Sequence, residues 1–265
     1  MLQVLCYALD PFTMRQWRPS DVLSLEKPLR PYALIVLNQK LNRLDIFKKL
    51  WSEASYRFCA DGGANRLYDA FVDDEELREK YLPHAVHGDL DSLRKDVRDY
   101  YESKNVEVSQ DHDQNSTDFM KCISLLRKKE TSDKNEDGIK YDIVAFPALG
   151  GRFDQTIASI NQLYFLKDET DRQTLLVSDE NLTILLDEGK HRIECNRQLE
   201  GPTCGIMPLG GPIVLTTRGL RWNLTDYPCH FGGMVSTSNV LASDIVEIET
   251  DKPVVWTVEL KEDTC

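Results

Sequence analysis

Six short apolar runs, each closed by a polar or glycine turn, constrain this chain more than any other feature. They are YALIVLN (32–38), YRFCADGG (56–63), AVHGD (85–89), VEVSQD (106–111), YDIVAFPALGG (141–151) and TLLVSD (174–179). Each suits a buried strand. Helical patterns separate them. DSLRKDVRDYYESK carries Leu93, Val97 and Tyr100 on one side, and STDFMKCISLLRKK repeats Phe119, Cys122, Ile123 and Leu126 behind a cap at Ser116 or Thr117. RFDQTIASINQLYFL repeats Phe153, Ile157, Ile160 and Tyr164, which the period assigns to a buried face. Strands alternating with helices predict an α/β domain with a mostly parallel sheet flanked by helices.

The texture changes near residue 180. NLTILLDEG, KHRIEC, CGIMPLG, PIVLTTRGLRWNLT, DIVEIET and VVWTVEL are short strand-like runs with Gly, Asp or Pro between them. They predict an antiparallel β-sandwich or barrel. Residues 1–31 contain prolines at 11, 19, 28 and 31 and read as an irregular extension, and the polar stretch 130–138 reads as a surface loop.

A formal net charge of -12 argues against a nucleic-acid groove. No apolar run approaches the length of a membrane span. Seven scattered cysteines without a Cys-x-x-Cys pair suit reduced thiols in a cytoplasmic protein.

In an open α/β sheet, ligands gather at the carboxyl ends of the strands. Asp89 and Asp91, spaced i, i+2 after Gly88, read either as a wet turn or as carboxylates held together by a cation. Three further polar turns share that end of the sheet: Asp61; Asp113, Gln114 and Asp118; and Arg152, Asp154 and Gln155 after Gly150 and Gly151. Such repetition favours a metal–phosphate site. Mg²⁺ takes oxygen ligands and commonly uses one or two carboxylates with phosphate oxygens. Asp89 and Asp91 supply the carboxylates, and Asp118 completes or orients the shell. Gly150 and Gly151 let the backbone approach an anion ahead of a helix N-terminus, and Arg152 brings a positive fork.

Six segments carry a family resemblance. CADGGANRLYD (59–69), HGDLDS (87–92), DQNSTDFMKC (113–122), GGRFDQ (150–155), GLRWNLT (219–225) and VSTSN (235–239) stand in the order found in the thiamine pyrophosphokinase family, which the chain resembles over residues 32–260. The resemblance implies an α/β catalytic domain over 32–179 and a thiamine-binding β-sandwich over 180–265. It implies transfer of the pyrophosphoryl group of ATP to the hydroxyl of thiamine, giving AMP and thiamine diphosphate. Mg²⁺ is the implied cofactor, ATP the co-substrate, and a homodimer with active sites at the subunit interface the implied assembly. Carried over by motif, Asp89, Asp91 and Asp118 are the metal ligands. With Arg152 and Asp154 they form the catalytic set, while Asp61, Gln114, Arg152 and Gln155 lie along the nucleotide. Trp222 matches the residue that stacks on thiamine, and Ser236 the serine near its pyrimidine; Asn239 adds hydrogen-bonding capacity beside them.

Read from the residues alone, Trp222 between Leu220 and Leu224 fits a β-domain core as well as a ligand platform. His87 fits a structural role as well as proton transfer. Two other functions use the same parts: a metal-dependent glycosyltransferase, and a nucleotide-sensing module without turnover.

Overall fold

A computed structural model describes residues 14–24, 27–132 and 138–262. Residues 1–13, 25–26 and the polar run 133–137 lie outside the described residues. The described residues divide into two compact units, one within Asp21–Ile184 and one formed by Leu185–Lys261 with residues 14–20.

The first described element is a short strand, β1 (Arg15–Trp17), followed by a 3-10 turn at Pro19–Leu23. The α/β unit then runs β2 (Tyr32–Val36), α1 (Leu44–Glu53), β3 (Tyr56–Ala60), α2 (Gly63–Ala70), α3 (Glu75–Lys80), β4 (Ala85–Gly88), α4 (Lys95–Ser103), β5 (Glu107–Gln110), α5 (Asp118–Glu130), β6 (Asp142–Phe146), α6 (Phe153–Phe165) and β7 (Thr174–Val177). Its strands lie in the order β7-β6-β2-β3-β4-β5, all parallel. β8 (Asn181–Leu186) turns back antiparallel on β7 and carries the chain onward.

Every residue of β2 and β6 is buried, as expected of strands covered on both faces. The register aligns their ends: Val36 stands beside both Cys59 and Phe146, and Ala60 beside His87. The sequence leaves β2 toward β3, β4 and β5, then returns to its other side as β6. The order therefore reverses between β2 and β6, where the loops after the two strands part and open a crevice.

Two helices differ from their expected faces. In α4, Val97 and Tyr101 are buried, not Tyr100, and Leu93 precedes the helix. In α6 the buried residues are Ser159, Gln162 and Leu163, whereas Phe153 is 78% and Ile157 44% exposed. Period alone could not choose between two sides of an apolar helix. The side turned to the strand ends carries the small Ala158 and Ser159, which line the cleft described below.

The β unit continues with β9 (Gly189–Glu194), β10 (Glu200–Met207), β11 (Ile213–Arg218), β12 (Tyr227–Cys229), β13 (Ser236–Val240), β14 (Ile245–Thr250) and β15 (Val254–Leu260). One sheet is ordered β1-β9-β14-β11-β12, and the other contains β13-β10-β15. Their inward residues, among them Leu215, Val246, Ile248, Trp256 and Val258, are buried and make the core of the sandwich.

Within 1–31, the stretch read as an extension, residues 15–17 instead form a sheet strand: β1 pairs parallel with β9, Arg15 opposite His191 and Trp17 opposite Ile193. Trp17 is buried, and its indole N–H donates to His191 Nδ1 at 3.0 Å. Because that nitrogen must accept, Nε2 carries the ring proton and donates to Asp187 O at 2.8 Å. Burial is the main reason that His191 is pushed down to about 4. The pairing signal in residues 15–17 is three residues long, too short for periodicity to register. Cys59, Cys122, Cys195, Cys204 and Cys229 are free and buried, and no described helix is long and apolar enough to cross a membrane.

Candidate active site

A cleft of about 760 Å³ opens at the carboxyl ends of the parallel strands of the α/β unit. Its walls include the turn after β2 (Asn38, Gln39, Lys40), the turn after β6 (Pro147, Leu149, Gly150, Gly151 and Arg152), and Asp61, Asp89 and Asp118 from the β3, β4 and α5 side. Leu37 N–H still donates to Phe146 O at 3.1 Å, so the crevice begins immediately beyond the last bond between β2 and β6.

The acidic wall is assembled by backbone geometry. Asp61 takes φ 43° at the end of β3 and Leu90 takes φ 62° after Asp89, left-handed conformations uncommon for these residue types. Thr117 caps α5 by accepting from Met120 N–H at 3.3 Å, which sets Asp118 as the first helical residue. One carboxylate oxygen from each of Asp61, Asp89 and Asp118 lies within 4.8 Å of the other two. Gly88 makes this approach possible: a Cβ there would sit 2.7 Å from Asp118 Oδ1 and 2.8 Å from Asp61 Cβ.

Hydrogen bonds hold most of this oxygen set. Asp118 Oδ1 accepts from Asp89 N–H at 3.1 Å, and Asp61 Oδ2 accepts from Ser92 N–H at 3.1 Å. Lys121 Nζ, on a side chain 1% exposed, donates to Asp89 Oδ2 at 3.0 Å and to Asp118 Oδ1 at 3.3 Å. Asp61 is 2% exposed, and its Oδ1 is buried without a hydrogen-bond partner. Burial, reinforced by the Asp118 charge, raises the Asp61 carboxyl above the usual range. Burial opposes ionisation of Asp89 too, but the Lys121 ammonium and the Asp91 N–H outweigh it and hold Asp89 below that range. Three oxygen donors, one of them an orphaned buried atom, suit a hard divalent cation such as Mg²⁺.

Asp89 and Asp118 stand together, as read from the motifs. The third member of the group is Asp61, which the motifs assigned to the nucleotide. Asp91 stands outside it, exposed, with its N–H on Asp89 Oδ1 and its carboxylate accepting from Ser92 Oγ. The left-handed residue Leu90 stands between Asp89 and Asp91. Gln114 is exposed on the loop before α5 and does not line the cleft, whereas Arg152 and Gln155 do. Arg152 is mostly exposed and pairs with Asp154, which turns that carboxylate toward the guanidinium. His87 is buried with Nδ1 2.8 Å from Ser109 Oγ, a structural placement.

Motif reading passed over Asn38, Gln39, Lys40 and Arg66, whose Nε donates to Asn38 Oδ1 at 2.9 Å. Their signal is position after the strand that proves to flank the reversal, which needs the strand order. It passed over Lys121 as well, although spacing i, i+3 from Asp118 put both on one helix face.

In the β unit, Trp222 is 54% exposed, and the Arg221 guanidinium lies 4.9 Å from its ring centroid. A core role for Trp222 is thereby removed. Asn223 pins the turn by accepting from Leu220 N–H at 3.1 Å and donating to Leu220 O at 2.9 Å. Asn239 lies behind the Trp222 turn. It is buried, and its Oδ1 accepts from Trp222 N–H and Val240 N–H while its Nδ2 donates to Trp222 O and Ser236 Oγ. Those four bonds use all the capacity of the amide. Asn239 holds the Trp222 backbone, and Ser236, 4% exposed, supports it from behind.

Comparison with known proteins follows the same division. Residues 47–175 match the model of "Thiamin pyrophosphokinase, catalytic domain", and 190–255 that of "Thiamin pyrophosphokinase, vitamin B1 binding domain". The chain is 41% identical over 239 residues to thiamine pyrophosphokinase 2 of Arabidopsis thaliana, covering 87% of this chain and 86% of the relative. It is 34% identical over 271 residues to thiamine pyrophosphokinase of Saccharomyces cerevisiae, covering 86% and 85%. The crystal structure of yeast thiamin pyrophosphokinase superposes with a TM-score of 0.83 at 29% identity, covering 94% of this chain and 92% of that one. Thiamin pyrophosphokinase from Candida albicans gives 0.82 at 29% identity, covering 94% and 93%.

Proposed function

The chain belongs to the thiamin pyrophosphokinase family, and from that premise we propose that it moves the pyrophosphoryl group of ATP to the hydroxyl of thiamine, releasing AMP and thiamine diphosphate. The observation that carries this reading is one cleft holding both the Asp61–Asp89–Asp118 group, with its orphaned buried oxygen, and the Gly150–Arg152 turn that opens α6.

Asp61, Asp89 and Asp118 would hold Mg²⁺, which when bound neutralises phosphate charge and polarises the phosphoryl group under attack. Gly150 (φ 105°) and Gly151 (φ 63°) occupy conformations that favour glycine and leave the backbone bare toward the triphosphate. Arg152 would exchange its exposed partner Asp154 for phosphate oxygens, a cheap exchange because exposed ion pairs are weak. The thiamine hydroxyl attacks the β-phosphorus, and AMP leaves. Asp118 already accepts from Lys121 and Asp89 N–H, and Asp154 from Arg152, so we assign the rate to positioning and charge stabilisation. The exposed indole of Trp222 suits the cationic, aromatic acceptor through stacking and cation–π attraction.

The test is incubation with ATP, thiamine and Mg²⁺ and identification of both products. AMP with thiamine diphosphate supports the reading. ADP with thiamine monophosphate, sugar-nucleotide cleavage to a nucleoside diphosphate, or binding without turnover would each replace it.

We also infer a homodimer with active sites at the subunit interface. Its support is the exposed apolar side of α6, with Phe153, Ile157 and Phe165 open to solvent at a helix that starts in the cleft. Sedimentation of the wild type against Ile157→Glu checks it, and an unchanged monomer in both would overturn it.

A further inference from the structure

We propose that Lys121 is a positioning residue: a built-in counter-cation that aims Asp89 and Asp118 and sets the charge that a single divalent ion must balance. This rests on the proposed metal site. Lys121 is one of the largest fully buried side chains of the protein, yet it ends in an ammonium. Burying an unpaired ammonium is costly, so its place depends on its partners. Its ion-pair partners, Asp89 at 3.0 Å and Asp118 at 3.3 Å, are carboxylates of the acidic group. Lys121 does not line the cleft, whereas Asp89 and Asp118 do, so it acts through them and touches no substrate.

The consequence is electrostatic. With all three carboxylates ionised the group carries three negative charges, and Lys121 reduces this to two. One divalent cation then completes the balance. Asp89 Oδ2 and Asp118 Oδ1 are also pinned by one nitrogen, while Asp61 Oδ1 remains the unpartnered atom. Lys121 thus preassembles two carboxylates before any metal arrives.

The experiment uses the full chain, Mn²⁺ as the probe, and no ATP or thiamine. Mn²⁺ affinity is measured directly by the electron paramagnetic resonance of the free ion, and unfolding is followed in EDTA and in Mn²⁺. Loss of the neighbouring positive charge in Lys121→Met should tighten Mn²⁺ binding by about tenfold. The same variant should melt earlier in EDTA and regain more on adding Mn²⁺ than the wild type. Its kcat at saturating metal should fall by at least about tenfold, because the carboxylates are no longer aimed. Lys121→Arg keeps the charge and should hold Mn²⁺ affinity within about threefold of wild type. Unchanged or weaker Mn²⁺ binding in Lys121→Met overturns the proposal even if stability falls, since a packing role predicts that pattern. If Lys121→Met folds under neither condition, Lys121→Arg decides: an affinity shift beyond about tenfold overturns the proposal. A wild type that binds no Mn²⁺ overturns the metal site itself, whereas a wild type that binds and a Met variant that matches it overturn only the role of Lys121.

Discussion

The cleft of the α/β unit and the Trp222 turn of the β unit present their functional groups in opposite ways. In the cleft, polar groups from several strand ends converge, and the decisive ones are buried: Asp61 and Lys121 are almost without exposure. At the Trp222 turn a large apolar ring stands in solvent, and one buried amide, Asn239, fastens its backbone. The contrast follows from what each group must do. Carboxylates that gather charge need rigid donors and low dielectric around them, because misdirected charge loses its effect. An aromatic platform needs only an open face and a fixed backbone. Damage in the cleft should therefore appear in turnover, and damage at the turn in acceptor affinity.

Asp89→Asn should break the cleft most severely. Turnover should fall by at least about 100-fold, several kcal/mol of transition-state stabilisation, while the protein remains folded. Steady-state kinetics over a Mg²⁺ titration measures it, and near-normal turnover would remove Asp89 from the metal group.

Acid should act on the β unit through His191. Its folded pKa is depressed to about 4 from 6.5, so the folded state resists the proton that the unfolded state accepts. Stability is unaffected above pH 6.5 and is lost as pH falls from there toward 4, by up to about 3 kcal/mol. Urea unfolding at pH 7, 5 and 4 checks this, and His191→Gln should flatten the slope by keeping an acceptor for Trp17 without a titrating ring. An unchanged slope would locate the acid sensitivity elsewhere.

Gly88→Ala tests how tightly the acidic group is packed. The added methyl group meets Asp118 Oδ1 and Asp61 Cβ at under 3 Å. Overpacking of this kind costs about 1–3 kcal/mol, and turnover should drop with it. A variant with wild-type stability and turnover would mean that the carboxylates can part without consequence.

Trp222→Ala should have the smallest effect on folding and a selective effect on substrate. We expect less than about 1 kcal/mol of stability lost, because the ring is half exposed, and a thiamine KM raised about tenfold. Chemical denaturation and thiamine titration separate the two. A loss of about 3–5 kcal/mol with unchanged affinity would restore the core reading.

Much of the cleft was legible beforehand because its signals are local. A strand followed by glycine and an acid reads the same in sequence and in space, so Asp61, Asp89, Asp118 and Gly150–Arg152 could be marked by eye. Which carboxylates of the Asp89–Leu90–Asp91 turn converge was not legible, because Leu90 is left-handed and a single backbone angle leaves no mark in the spacing. The buried face of α6 misled because Phe153, Ile157, Ile160 and Tyr164 fit a helical period well. What they face depends on the strand order, not on their spacing. A polar residue near a ligand motif, such as Asn239, reads the same whether its hydrogen bonds are free or spent within the fold.

The sequence by itself determined the alternation of strands and helices, the change to β structure near residue 180, and the family, since these rest on composition and order along the chain. Tertiary structure alone decided where the order of the sheet reverses. It also decided which three of the acids meet, that Lys121 reaches Asp89 across the site, and that β1 joins the β unit beside β9. The physical reason is common to all four: each is a contact between segments distant along the chain, or a turn whose sense is set by a single backbone angle, and neither leaves a periodic mark in the residues that form it.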